Sequence, residues 1–253
     1  MSTYVIADIH GCFRTFIKLL DQVKFNESSD TLYILGDIVD RGAGFYDLYQ
    51  WVRERYKKSV FLIMGNHEFG FIEDLFSERF LRDSFVDSYG HFWYLRDYLN
   101  LKKSSVKRMA KFFSKLPIYY DVSINGRRFL LVHAYISDNL SDLDEYDCIW
   151  NRDLALAPGW DKPIDGVTVV FGHTPTLSCE YDEKYQGLIY SESGNTDGKC
   201  WTKINIDCGC AYGGKGHLGL LRLDDMAEFY ESNIDELVDN IYFREMDAMP
   251  QEE

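Results

Sequence analysis

Residues 31–42 read TLYILGDIVDRG, an apolar run that ends abruptly in a glycine, two aspartates, an arginine and a second glycine. The same construction stands on either side of it, as TYVIADIHG at 3–11 and VFLIMGNHE at 60–68. Short runs that are apolar on both faces suit strands buried inside a layered α/β fold. Helix-like segments, FRTFIKLLDQV (13–23) and FYDLYQWVRERY (45–56), separate the three runs. The front of the chain therefore reads as βαβαβ with parallel strands.

Further along, FLLV (129–132), VTVVF (167–171) and KINI (203–206) supply three more strands, and residues 71–116 read as largely helical. LGLLRL, the Asp224-Asp225 turn signal and MAEFYES read as a hairpin. Residues 181–201 read as an excursion between two core strands, and 234–247 (IDELVDNIYFREMD) as an acidic terminal helix. With no repeat and no Pro/Ser linker, 1–253 reads as one domain, a core to about 232 followed by an acidic extension over 233–253.

Of the 253 residues, 46% are hydrophobic and 16% aromatic, enough to bury a sizeable core and to exclude global disorder. The formal charge of −14 argues against general nucleic-acid binding, which needs Lys and Arg to displace counterions. That charge is unevenly placed: residues 224–253 hold 11 acidic side chains and one basic one, so they carry −10 and the rest only −4. The cysteines at 12, 148, 179, 200, 208 and 210 form no CxxC pair and give little reason to expect disulfides. The start of the chain lacks a signal-peptide pattern, and no apolar run approaches the ~20 residues that span a bilayer. The expectation is a soluble, reduced, cytoplasmic protein with no membrane partner; its oligomeric state is open.

The chemistry collects where the apolar runs stop. Asp8 and His10 follow the first, Asp37, Asp40 and Arg41 the second, Asn66, His67 and Glu68 the third, His133 the fourth and His173 the fifth. The carboxyl ends of strands are the edge at which open α/β sheets bind ligands. Asp8 and His10, two apart, project from one face if the strand continues through them and could share a metal. Mixed carboxylate, imidazole and amide groups suit Mn, Fe or Zn better than Ca. Asp8, His10, Asp37, Asn66, His133 and His173 are more than one tetrahedral ion needs, whereas two ions sharing Asp37 would use all six.

These residues resemble the motifs of the PPP-type metallophosphatases, GDxHG, GDxxDRG, GNHE, HG and GH, within the calcineurin-like metallophosphoesterase superfamily. The resemblance runs from about residue 3 to about 232 and is strongest to the small bacterial and phage protein phosphatases, which also have an IWNR segment like 149–152 and an FGHTP like 171–175. It implies a four-layer α/β sandwich of two mixed sheets flanked by helices, with the metal site at the carboxyl ends of the strands. It also implies two divalent ions, commonly Mn²⁺: one on Asp8, His10 and Asp37, the other on Asp37, Asn66, His133 and His173. His67 would be the general acid, oriented by Asp40, and Arg41 and Arg152 would hold phosphate oxygens. Ala7 and Ala134 replace glycines of the pattern, and neither change removes a ligand.

A hydroxide bridging the two ions would attack phosphorus directly, with no covalent enzyme intermediate. The expected reaction is phosphomonoester hydrolysis on a phosphorylated protein, at Ser/Thr with Tyr left open, or on a phosphorylated small molecule. Residues 207–214 (DCGCAYGG) also resemble a segment of the symmetrical dinucleoside tetraphosphate hydrolases, the alternative reading. A catalytically dead phosphate-binding scaffold would have lost a ligand or the acid, and none is missing. The basic stretch 102–115 reads as an amphipathic helix, with Val106, Met109, Ala110 and Phe113 on its inner face. Cys208 and Cys210 read as small packing residues, and Asp207 as support for the site rather than a ligand.

Overall fold

The computed structural model describes residues 1–76, 101–178 and 181–237. Among the described residues, ten strands form two five-stranded mixed sheets. The first contains β1 (Thr3–Ile6), β2 (Thr31–Ile34), β3 (Val60–Leu62), β9 (His217–Arg222) and β10 (Ala227–Ser232), in the order β10-β9-β1-β2-β3. β1, β2 and β3 run parallel, with Thr3 beside Thr31 and Leu32 beside Val60, while β9 joins β1 antiparallel. The second contains β4 (Tyr119–Ile124), β5 (Arg127–Val132), β6 (Val167–Phe171), β7 (Tyr190–Thr196) and β8 (Lys199–Asn205), in the order β4-β5-β6-β8-β7. Its parallel centre, β5-β6-β8, is flanked by two antiparallel edges.

Side chains alternate across each strand, so one strand serves two cores. Tyr4 and Ile6 face outward to α1 (Phe13–Gln22), α2 (Phe45–Arg55), α3 (Asn66–Phe76) and α4 (Lys103–Phe113), whereas Val5 and Ala7 face the second sheet. Phe129, Leu131 and Val170 meet them there. Leu130, Val132, Val169 and Phe171 face the far side, against Cys148 of α5 (Glu145–Trp150) and Leu154 of α6 (Asp153–Leu156). The layers are thus helix, sheet, sheet, helix, as the resemblance implies, with strands buried on both faces wherever the sequence is continuously apolar.

The expected amphipathic helix is α4, and it buries Val106, Met109, Ala110 and Phe113 as expected, with Ser105 beside them. The expected hairpin is β9–β10. The excursion 181–201 departs from expectation: it contains the edge strand β7 and the start of β8. Neither β7 nor β4 forms a continuous apolar run, because an edge strand buries only part of its surface. Residues 233–237 also depart, lying as an extended strap along α1 where a helix is expected from 234; the rest of that expected helix, and residues 77–100, lie outside the described residues. No helix among the described residues is long and apolar enough to cross a membrane.

Candidate active site

The strand-end residues converge where the carboxyl edges of the two sheets meet. Asp8 and His10 follow β1, Asp37 follows β2, Asn66 and His67 open α3 after β3, His133 follows β5 and His173 follows β6. Asp8, His10, Asp37, Asp40, Arg41 and His173 all have positive φ, between 46° and 68°. Asp8 and His10 thus project from a left-handed turn beyond β1, not from one face of a continuing strand. L residues enter this region at a cost, which the surrounding bonds must hold in place.

Two groups of donor atoms gather around Asp37: His10 and His67 on one side, His133 and His173 on the other. Asp37 Oδ2 lies 3.6 Å from His10 Nε2 and 3.6 Å from His133 Nε2. Asn66 Oδ1 lies 2.9 Å from both His133 Nε2 and His173 Nδ1. Asp8 belongs to neither group; its carboxylate accepts the His173 N–H, at 3.0 and 3.2 Å to its two oxygens.

The ring tautomers follow from the outer contacts, since a carbonyl can only accept. His10 Nδ1 donates to Val39 O (3.0 Å), His133 Nδ1 to Leu35 O (2.7 Å) and His173 Nε2 to Trp150 O (3.1 Å). The inward nitrogens of the neutral rings therefore carry lone pairs, facing other lone pairs on Asp37 and Asn66. Burial keeps the rings neutral: it lowers the pKa of His10, helped by Arg41, lowers that of His133, and with His133 nearby pushes His173 down to about 2. Burial also opposes charge on Asp37, while the His67 N–H that its Oδ1 accepts at 3.0 Å favours the carboxylate. Converging lone pairs around one carboxylate, each imidazole anchored by its other nitrogen to a carbonyl, form a donor set that fits divalent metal ions.

His67 stands slightly apart. Its Nδ1 is 2.6 Å from Asp40 Oδ2, which leaves Nε2 facing the site, 3.8 Å from Asp37 Oδ2 and 3.5 Å from Arg41 Nη2. The Arg41 guanidinium lies 5.0 Å over the Tyr212 ring. Arg152, on the opposite wall, donates to Thr174 Oγ1 (2.9 Å) and His173 O (3.3 Å).

Gly65 and Gly172 are among the glycines that close approach requires: a Cβ on Gly65 would collide with Asp37 Oδ1, and one on Gly172 with Asp8 Oδ2. Ala7 and Ala134, the two departures from the motif pattern, are both buried without displacing a site residue.

Sequence reasoning left Glu68 without a role. Its fully buried carboxylate accepts four backbone N–H groups: Asp37 (2.8 Å), Ile38 (2.9 Å), Val39 (3.3 Å) and Gly65 (3.1 Å). Burial and the Asp37 charge push it up to about 8, against these donors. Asp207 is raised to about 6, by burial first and Asp37 among its charged neighbours, and accepts the Gly209 N–H at 2.9 Å. Lys203 and Asp235 were also missed. The legible signal for Lys203 is a lysine sharing a strand face with Trp201.

The model of the family described as calcineurin-like phosphoesterase matches residues 1–198. Serine/threonine-protein phosphatase 2 of Salmonella typhimurium is 26% identical over 205 residues, covering 76% of this chain and 87% of that protein. A symmetrical bis(5'-nucleosyl)-tetraphosphatase of Klebsiella pneumoniae is 47% identical over 68 residues, covering 27% of this chain and 24% of that one. Among solved structures, a protein provisionally described as a diadenosine tetraphosphatase superposes with a TM-score of 0.60 at 16% identity, covering 94% of both chains. At that identity the likeness is one of fold.

Proposed function

The chain belongs to the calcineurin-like phosphoesterases, hydrolases that use divalent metal ions, and we propose that within this family it is a phosphoprotein phosphatase acting on Ser/Thr phosphomonoesters, with Tyr as a further substrate. The observation that carries this reading is the breadth of the match to the Salmonella serine/threonine phosphatase, against a tetraphosphatase match confined to 68 residues. The IWNR segment supports it, because it sets Arg152 beside His173.

In this reading Asp8, His10 and Asp37 would hold one divalent ion, and Asp37, Asn66, His133 and His173 the other, with Mn²⁺ the metal of choice. When bound, the ions supply an acidified water as nucleophile and positive charge for the phosphoryl group. Asp8 also braces the second sheet's loop through the His173 N–H, so its ligand role requires that one carboxylate serve both neighbours. Arg41 and Arg152 bind phosphate oxygens from opposite walls and offset charge in the transition state. His67 delivers a proton from Nε2 to the leaving oxygen, while Asp40 keeps Nδ1 as a donor and fixes the ring's orientation.

The test is kcat/KM on Mn²⁺-loaded protein with phosphoserine, phosphothreonine and phosphotyrosine peptides beside diadenosine tetraphosphate. Preference for the Ser/Thr peptides supports the reading. Preference for the dinucleotide overturns the substrate assignment and favours the reading suggested by 207–214, while the metal-site roles stand.

A further inference from the structure

Lys203 is a charged side chain for which the reaction has no use, yet it is 2% exposed. From β8 its ammonium reaches across the outer face of the second sheet and donates to Leu154 O (2.9 Å), Ala157 O (3.0 Å) and Gly159 O (2.9 Å). Glu192 of β7 neutralises it, with Oε2 at 3.1 Å. The other Glu192 oxygen accepts the Gly159 N–H at 3.2 Å, so the pair grips the 157–159 turn from both sides.

All three carbonyls belong to α6 or to the turn that leaves it, and Arg152 is the residue that opens α6. A helix of four residues does not hold itself together, since nucleation costs more than one turn returns. The last carbonyls of a helix have no partners within it, and an ammonium with three N–H groups can satisfy one of them, at Leu154, together with two from the turn that follows, at Ala157 and Gly159. Replacing a buried ion pair by apolar side chains is often neutral or even stabilising. Stability alone therefore gives little reason for a lysine in this place, next to the apolar Trp201.

We propose that Lys203, neutralised by Glu192, is a positioning residue for Arg152: by fixing the carboxyl end of α6 it sets where the Arg152 guanidinium meets the phosphate. The proposal rests on the reading of Arg152 as a phosphate-binding residue. The guanidinium is already tied at one side to Thr174 Oγ1 and His173 O. With its backbone also held, its remaining N–H groups point from a set position. A displacement of about 1 Å at such a group can cost on the order of 10²-fold in rate.

The experiment is a double-mutant cycle on Mn²⁺-loaded protein, reading kcat, KM and the affinity for inorganic phosphate, with metal content measured in each variant. Lys203→Met is expected to weaken phosphate binding and lower kcat/KM by roughly 10- to 100-fold with metal content unchanged. The same change in an Arg152→Ala background is expected to cost no more than twofold beyond Arg152→Ala alone. Glu192→Gln, which leaves Lys203 in place, is the second variant should Lys203→Met fail to fold, and it should show the same loss in weaker form. Lys203→Arg, which keeps the charge, should recover part of it. If the Lys203 and Arg152 losses multiply in full, or if Lys203→Met leaves phosphate affinity intact, Lys203 does not act through Arg152 and the proposal is overturned. If Arg152→Ala alone leaves phosphate affinity and kcat/KM unchanged, the reading of Arg152 itself fails, and the role of Lys203 falls with it.

Discussion

The two walls of the site are held by buried side chains of opposite hydrogen-bonding sense. On the first-sheet wall, the turn after β2 points three N–H groups inward, and the Glu68 carboxyl group collects them together with the Gly65 N–H. On the second-sheet wall, α6 and the turn that leaves it present carbonyls, and the Lys203 ammonium collects those of Leu154, Ala157 and Gly159. Whether an acceptor or a donor is buried follows from which backbone group the local structure leaves without a partner. The walls also differ in depth. Asp37, Asp40 and Glu68 are buried, with Asp40 1% exposed, whereas Arg152 lies on the surface. The first wall has the features of a preformed cradle for metal, whereas the second sets an exposed guanidinium beside the buried His133 and His173.

Substitutions that separate the walls sharpen this contrast. Glu68→Ala strands four buried N–H groups and should destabilise the fold by ~3–5 kcal/mol while lowering metal affinity. A melting temperature and metal stoichiometry equal to the parent's would break the contrast, because Glu68 would then not organise the cradle. His67→Asn lies in the same wall but outside the ligand set proposed above. It should lower kcat by about 10²- to 10⁴-fold with both metals retained, measured as steady-state rate beside metal content. Full activity would remove His67 as the acid, and loss of metal would move it into the ligand set.

The smallest expected effect belongs to the strap. Asp235 caps α1 from a distance, accepting the Arg14 N–H (3.0 Å), the Thr15 N–H (2.8 Å) and the Thr15 hydroxyl (2.6 Å), at a helix whose own N-cap, Cys12, offers no side-chain bond. Two residues on, Leu237 bridges Gly42, next to Arg41. Asp235→Ala should cost about 1 kcal/mol, as loss of an N-cap does. Chemical denaturation would measure it, and an unchanged midpoint would mean that the strap adds nothing to the first wall.

Much of the site was legible because each apolar run carries its chemistry with it. Strand and functional side chain lie within about a dozen residues of one another at 3–11, 31–42, 60–68, 129–134 and 167–173, with a glycine in every stretch but 129–134, so local pattern alone announces them. A layered α/β fold followed from runs apolar on both faces, and its four layers from the family resemblance. The edge strands β4 and β7 did not, because partial burial leaves no continuous apolar run. The posture of Asp8 and His10 was misjudged for a related reason: period-two reasoning assumes a strand that continues, and the backbone has already turned left-handed at φ 51° and 46°.

By itself, then, the sequence determined the order of the strands along the chain, the two-faced burial of their centres and the set of side chains delivered to their carboxyl ends. Tertiary structure alone decided which distant groups complete that set: the His173 N–H on Asp8, 165 residues away, Asp235 on the start of α1, 220 residues from Thr15, and Lys203 on Leu154 O, 49 residues away. The physical reason is the same in each case. Hydrophobic periodicity is written in side-chain types, but the partners of these buried charges are backbone N–H and C=O groups, which every residue but proline carries alike and which only the fold brings within reach.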